Sequence, residues 1–337
     1  MVKIAVIGAG VMGLSTAVNL QKLIPDAKVT IIADKFGTDT TSTGAGGYFR
    51  PNMDDFHVED KEMVTQWVKD SWEFYSELAQ SPSANESGQT LVSGTVVYNK
   101  PQESAYSLLA TLSYDFHQVS EDQLRRLNLN YKYGYSFTTV ITHTEKFCKW
   151  LTERFQAAGG VIQKRKINDI KELAGEFDIV VNCCGLGARE LVHDEKVYPV
   201  RGHLVMVDAP WMKTFFLSED DVYLIPHVDK LIIGGTREPG KFNTVPDPAT
   251  REHILSRAQA LFPQLKGVKV LREWVGLRPK RDKIRFEMEI MDCSNKVKLP
   301  IFHNYGHGGH GITLGWGAGV GAAKAIKDVC QSSRSRL

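Results

Sequence analysis

Three residues of the sequence could together bind a carboxylate: Arg278, Arg237 and Tyr223. Arg278 follows a predicted strand over 269–277, at a point where Pro279 fixes the backbone. Arg237 follows a glycine turn, and Tyr223 lies in an apolar run of strand length. An arginine at a strand end offers a planar fork of donors that matches a carboxylate, and a tyrosine hydroxyl can complete that grip. Each residue alone is more typical of a surface charge or a core aromatic than of a binding site, so the carboxylate site is a hypothesis that depends on the three together.

Other catalytic chemistry finds little support in the sequence. His303, His307 and His310 suggest a metal, but glycines surround the last two and no acidic residue is near in sequence. We therefore predict no metal and expect these glycines to bring backbone N–H groups close to a ligand. The chain also lacks a Gly-x-Ser-x-Gly elbow, a P-loop and a Cys/His pair with nucleophile spacing. A bound cofactor is then the simplest source of the chemistry.

The first 35 residues predict the element that would position such a cofactor. A strand over 3–7 leads into a glycine turn over 8–13, a helix over 14–23 and a second strand that ends before Asp34. The glycines of such a turn permit the tight bend, the approach of a pyrophosphate and the close packing of helix on strand. The helix N-terminus favours phosphate, and an acid about 20 residues further on binds a ribose. The motif predicts a dinucleotide without separating FAD from NAD.

Composition bounds the remaining possibilities. A length of 337 residues favours two domains, and an apolar fraction of 42% can supply their cores. The net charge of +2 gives no field for nucleic acid or a membrane surface, and no apolar run is long enough to span a bilayer. The five cysteines lack zinc or disulfide spacing, and residues 1–7 lack a signal-peptide pattern, so we expect a reducing compartment.

The middle of the chain gives two further predictions about local structure. Residues 105–135 read as irregular, and strand alternation over 198–236 predicts antiparallel β-structure.

Together these motifs resemble the D-amino acid oxidase family of FAD flavoproteins over nearly the whole chain, and within it the branch for acidic substrates. The segments over 276–279 and 304–309 are quite specific to the family. The resemblance is carried by Val6–Ser15, Asp34–Phe36, Thr40–Ser42, Val181–Ala188, Pro199–His203, Val207–Trp211, Gly234–Arg237, Gly276–Pro279 and Asn304–Gly309.

The resemblance implies an α/β fold with a Rossmann-type FAD-binding domain and a mixed, mainly antiparallel β-sheet substrate domain. We expect the FAD-binding domain to be discontinuous, over 1–50, 140–195 and 275–337, and the substrate domain to cover 51–139 and 196–274. FAD is the implied cofactor, and its expected contacts are Gly8, Gly10, Val11, Met12, Gly13, Asp34, Lys35, Thr41, Ser42, Gly46, Ile167, Cys184, Arg278, Gly308, Gly309, Gly311, Ile312 and Thr313.

The resemblance also implies the substrate contacts. Arg278 would pair with the α-carboxylate, Tyr223 would hydrogen-bond to it, the Gly309 carbonyl would accept from the amino group, and Arg237 would face a side-chain carboxylate. The expected reaction is oxidative deamination of D-aspartate, D-glutamate and, as a further candidate, N-methyl-D-aspartate. Hydride passes to flavin N5, and O2 then yields hydrogen peroxide beside the 2-oxo acid and ammonia. We expect no catalytic side-chain base, since positioning suffices.

The sequence departs from that pattern near the expected lid. Aspartate oxidases of the family carry a further arginine just before the Tyr223 strand, where this chain has Phe215 or Phe216. The neighbouring acids over 220–221 would not help an anion, and Arg50 is a candidate to supply the missing cation. An oxidase of neutral D-amino acids is therefore the close alternative; an NAD-dependent dehydrogenase and a non-catalytic dinucleotide-binding protein are more distant ones.

The last residues, Ser335-Arg336-Leu337, are a variant of the Ser-Lys-Leu address. We therefore expect the peroxisomal import receptor as a partner and the peroxisomal matrix as the location, which suits an enzyme that makes peroxide. A frayed basic terminus is the other interpretation of this tail.

Overall fold

The computed structural model describes residues 1–293 and 297–334, with side chains up to residue 331, so the tail Ser335-Arg336-Leu337 lies outside the described residues. The strands are β1 (Lys3–Ile7), β2 (Lys28–Ala33), β3 (Gln89–Tyr98), β4 (Tyr114–Gln118), β5 (Tyr133–Thr142), β6 (Val161–Lys164), β7 (Ile179–Asn182), β8 (Tyr198–Val207), β9 (Phe215–Ser218), β10 (Tyr223–Pro226), β11 (Leu231–Gly234), β12 (Glu238–Pro239), β13 (Val270–Asp292) and β14 (Lys298–His307). The helices are α1 (Val11–Leu23), α2 (Lys61–Ala79), α3 (Ala84–Ser87), α4 (Glu103–Leu112), α5 (Glu121–Arg126), α6 (Thr144–Ala157), α7 (Ala188–Leu191), α8 (Pro248–Leu261) and α9 (Gly311–Arg334).

One end of the sheet is the predicted parallel nucleotide-binding unit. Strands β6, β2, β1, β7 and β14 lie side by side in that order and are parallel to one another. Helix α9 packs closely against α1 because residue Gly319 has no side chain at the contact. A Cβ at this position would lie 2.8 Å from the Ser15 carbonyl carbon. The predicted strand, glycine turn, helix and second strand are confirmed.

The other part of the sheet is mainly antiparallel, as expected. Strands β13, β8, β11, β10 and β9 pair antiparallel in that order, β9 pairs parallel with β3, and β3 and β4 both pair antiparallel with β5. β13 also pairs with β14, so one continuous sheet joins the two parts. The boundaries of the two domains stay a prediction.

The structure corrects two expectations from the sequence. β13 does not end before Arg278 but continues through Pro279 to Asp292. Proline has no N–H to donate, and β13 tolerates it because β14 begins to pair with β13 only at Lys280, so up to that point only one edge of β13 needs hydrogen bonds. The region 105–135 is not irregular either; α4, β4, α5 and the start of β5 lie there.

No helix within residues 1–293 or 297–334 has the length and apolar character needed to cross a membrane.

Candidate active site

A cavity of about 1310 Å³ collects the predicted cofactor and substrate residues on one surface. The glycine turn, the loop over 38–48, strands β10 and β13, and the segment that leads into α9 form its walls. Every predicted site residue except Gly13 lines it: Gly8, Gly10, Val11, Met12, Asp34, Lys35, Thr41, Ser42, Gly46, Ile167, Cys184, Tyr223, Arg237, Arg278, Gly308, Gly309, Gly311, Ile312 and Thr313. The structure therefore brings together residues that are more than 300 positions apart in the chain.

The glycine turn has the shape that a pyrophosphate site requires. Gly8 adopts a φ of +108°, and a Cβ there would lie 2.6 Å from the Cys183 carbonyl oxygen. Gly13 lies behind the cavity wall, where a Cβ would come within 1.9 Å of the Gly8 carbonyl oxygen, so its role is to let α1 pack on the turn. Gly10 begins α1 without a side-chain cap, which leaves helix N–H groups for a phosphate.

Hydroxyl groups from the following loop surround this helix start. The Ser42 hydroxyl accepts a hydrogen bond from the Val11 N–H at 2.9 Å, and Thr41 donates to the Leu277 carbonyl at 3.4 Å. Asp34 and Lys35 follow β2 and are exposed on the cavity rim. The glycine turn with its surrounding hydroxyl groups, which we call the cradle, the helix N-terminus and the acid at the end of β2 together fit a dinucleotide.

Arg278 and Tyr223 form the core of the expected carboxylate site. The Arg278 Nη1 donates to the Thr236 carbonyl at 3.1 Å, and a Cβ on Gly202 would lie 2.3 Å from both terminal guanidinium nitrogens. The Tyr223 ring covers the Gly234-Gly235 segment, since a Cβ on Gly234 would lie 2.0 Å from it. Burial raises the pKa of the Tyr223 hydroxyl against the opposing charges of Arg278 and Arg237, so the group stays a donor.

Arg237 lies at the more open end of this wall. Its Nε is 3.3 Å from the Asp221 carboxylate, and its side chain is 55% exposed. Asp221 lies at the turn before β10, where its carbonyl accepts from the Gly235 N–H at 2.9 Å. Arg237 thus lines the cavity as predicted, but it forms an ion pair with Asp221.

Two further residues of the cavity were not found from the sequence. His310 Nε2 lies 2.9 Å from the Asp55 carboxylate, although the two residues are far apart in the chain. Burial acts to raise the pKa of Asp55, but the hydrogen bond from His310 and nearby positive charges outweigh it and lower the pKa to about 2. Burial also lowers the pKa of His310, so a neutral imidazole donates to an ionised carboxylate. Only a motif that links positions 55 and 310 could have revealed this pair.

The lid position gives no cation, in agreement with the sequence. Phe215 and Phe216 lie in β9 and are 2% and 5% exposed, so both belong to the core. Arg50 instead lines the cavity, and its Nη1 donates to the Tyr106 hydroxyl at 3.0 Å. Among the described residues, no group of three or more metal-ligating side chains comes together.

The chain is similar to known flavoproteins over nearly its full length. Residues 3–325 match the family described as FAD dependent oxidoreductase (DAO). Human D-aspartate oxidase is 38% identical over 338 residues, which cover 99% of this chain and 97% of that protein. D-aspartate oxidase 1 of Caenorhabditis elegans is 33% identical and covers 98% and 99%; D-amino-acid oxidase of Rubrobacter xylanophilus is 33% identical and covers 94% of each chain.

Solved structures agree at the level of the fold. Glycine oxidase from Bacillus cereus superposes with a TM-score of 0.76 at 19% identity, over 97% of this chain and 95% of that one. At this identity the likeness concerns the fold alone, and it matches the mixed α/β sheet described above.

Proposed function

The chain belongs to the FAD dependent oxidoreductase (DAO) family, and on that basis we propose that it is an oxidase of acidic D-amino acids, with D-aspartate and D-glutamate as substrates. One observation carries the choice of acidic substrates. Arg278, Tyr223 and Arg237 line one cavity together with the dinucleotide cradle, so cationic groups face both ends of a small dicarboxylate. N-methyl-D-aspartate is a further candidate substrate of the same site.

FAD fits the cradle, and the residues that hold it belong to the glycine turn, the Ser42 loop and the start of α9. Gly8 and Gly10 admit the pyrophosphate to the N-terminus of α1, and Asp34 accepts from the ribose. When bound, FAD supplies the redox chemistry, namely uptake of a hydride from the substrate Cα and transfer of the electrons to oxygen.

The protein's own contribution is to position the substrate. The guanidinium of Arg278 pairs with the α-carboxylate, and the protonated Tyr223 hydroxyl donates a second hydrogen bond to it. Gly309 lines the cavity beside Arg278, where a Cβ on it would lie 3.6 Å from the Arg278 Cδ, and its carbonyl would accept from the amino group. Fixing both substituents of the Cα aims its hydrogen in one direction, which is the entropic part of catalysis and requires no side-chain base.

The distal carboxylate sets the choice of substrate. Arg237 reaches the cavity from the turn between β11 and β12, where a dicarboxylic substrate bound at Arg278 would direct its second acid. The overall reaction then converts D-amino acid, O2 and water into 2-oxo acid, ammonia and hydrogen peroxide. A site without this cation would favour neutral D-amino acids instead, the activity that the relatives named D-amino-acid oxidase suggest as the second candidate.

A visible spectrum of the purified protein, recorded before and after D-aspartate without air, tests the proposal. We expect a yellow protein whose absorbance bleaches with D-aspartate and D-glutamate, and a peroxide assay in air that ranks both above D-alanine and D-asparagine. A yellow protein that prefers D-alanine would identify the neutral oxidase, and one that bleaches with no D-amino acid would refute both.

We also propose a peroxisomal location through the import receptor, on the strength of Ser335-Arg336-Leu337 alone. A fluorescent fusion that keeps this tripeptide at its end should be punctate and colocalise with peroxisomes. Deletion of Leu337 should make it diffuse, and a diffuse pattern for both fusions would contradict the proposal.

A further inference from the structure

Arg50 is a cation of the cavity wall that forms no ion pair with any carboxylate of the described residues. Its Nη1 donates to the Tyr106 hydroxyl at 3.0 Å, and the Tyr106 hydroxyl in turn contacts that of Tyr98. Within the described part of the chain, no carboxylate lies within 4.0 Å of its guanidinium. Arg237 differs, because Asp221 already shares its charge.

Asp55 acts on the charge of Arg50, but it is already hydrogen-bonded to another residue. Its carboxylate accepts the hydrogen bond of His310 at 2.9 Å. Burial acts to lower the pKa of Arg50, although its neighbours outweigh this effect and raise the pKa, and an anionic ligand would further stabilise the charged form. The part of the cavity wall around Arg50 is therefore suited to bind an anion from a ligand.

The position of Arg50 relative to the substrate site follows from shared neighbours. The charges of Arg50 and Arg237 both act on Asp55 and on His310, so both arginines lie near that pair. Arg237 also acts on Tyr223, as does Arg278. All three cations, Arg278, Arg237 and Arg50, line the same cavity, and Arg237 has an electrostatic neighbour in common with each of the other two.

A second donor accompanies Arg50. The Tyr48 hydroxyl is buried and has no hydrogen-bond partner among the described residues. Burial raises its pKa well above the ordinary value, so it stays protonated and able to donate. Tyr48 also lines the cavity and lies close enough to Arg50 for the two groups to interact electrostatically. Because the Tyr48 hydroxyl is uncharged, it does not neutralise the charge of Arg50.

We propose that Arg50 binds the distal carboxylate of the substrate together with Arg237, in place of the lid arginine that the family resemblance implies, where this chain has Phe215 or Phe216. Tyr106 is a positioning residue that holds the guanidinium toward the cavity. This inference rests on the proposed function, since it concerns how the same site distinguishes an acidic from a neutral D-amino acid.

The test compares D-aspartate with its neutral isostere D-asparagine in Arg50→Met, with Arg126→Met as a matched loss of an exposed arginine outside the cavity. Truncating one partner of a buried charge pair predicts a fall in kcat/KM for D-aspartate of roughly 30-fold or more, with little change for D-asparagine. Binding of malonate, followed by the shift in flavin absorbance without turnover, should weaken by a similar factor, whereas acetate binding should not change. The control should match the wild type in all four measurements.

Arg50→Lys keeps the inference testable if Arg50→Met does not fold. It keeps the charge but loses the planar fork, so it should retain part of the malonate affinity and restore some preference for D-aspartate. An unchanged ratio of D-aspartate to D-asparagine in every Arg50 variant that folds would overturn the inference and leave the proposed function intact. A wild-type enzyme without any preference for D-aspartate would instead refute the proposed function itself.

Discussion

Asp221 competes with the substrate for Arg237, and removing its charge should improve the binding of acidic substrates. The two side chains are 3.3 Å apart and about half exposed, at 47% and 55%. Asp221→Asn preserves the shape of the side chain, and asparagine tolerates the φ of +59° at this turn. The backbone hydrogen bond from the Gly235 N–H to the carbonyl of residue 221 would also remain.

The size of the effect follows from the exposure of the pair. An exposed ion pair is worth about 0.2–1 kcal/mol, and this is the free energy that a bound carboxylate has to replace. Its removal should lower the KM for D-aspartate and the Kd for malonate by a factor of roughly 1.4 to 5. Neutral D-alanine makes no contact with Arg237 in the proposed pose, so its KM should not change.

The assay is peroxide production with D-aspartate and D-alanine, together with malonate titration of the flavin absorbance at low and high salt. Asp220→Asn is the matched control, because Asp220 accepts from the Tyr131 hydroxyl at 3.1 Å and forms no ion pair with Arg237. The gain in affinity should shrink at about 1 M salt, where the Debye length is near 3 Å. A higher KM for D-aspartate in Asp221→Asn, or an equal gain in the control, would refute the competition.

Three other changes test the remaining parts of the site. Arg237→Ala should reduce kcat/KM for D-aspartate more than for D-alanine, by about 1 kcal/mol, the upper end for a half-exposed charge, and equal losses would remove this residue from the specificity pocket. Gly202→Ala places a Cβ 2.3 Å from the terminal nitrogens of Arg278 and should lower kcat/KM for every D-amino acid by roughly 100-fold; a bound flavin spectrum and an unchanged Tm would show that the fold is intact. The pKa of Asp55 is lowered from 3.8 to about 2. The ionised carboxylate therefore contributes fully to the free energy of unfolding above pH 3.8, and this contribution is lost as the pH falls toward 2. Asp55→Asn should remove about 1 kcal/mol of this pH-dependent stability in urea unfolding between pH 5 and pH 3, whereas equal slopes for both proteins would exclude a role for the His310 pair.

The sequence by itself determined the nucleotide-binding unit and the cofactor class. Strand, glycine turn, helix and acid are local features, because the turn requires glycine at Gly8 for reasons of backbone sterics that any structure would share. The segments around Arg278 and Gly308 were specific enough to identify the family, and the same reasoning named the residues that line the cavity.

Only the tertiary structure decided how charge is distributed within that cavity. Arg237 appeared from the sequence as a free cation, but the turn before β10 brings Asp221 to it. Arg50 appeared as one departure among several, but strands and helices distant in sequence leave it on the cavity wall with no ion-pair partner among the residues that the structure describes. Pairing between charges depends on distances of a few ångströms between segments that share no local pattern, so it is set by how the sheet and its loops pack rather than by spacing along the chain.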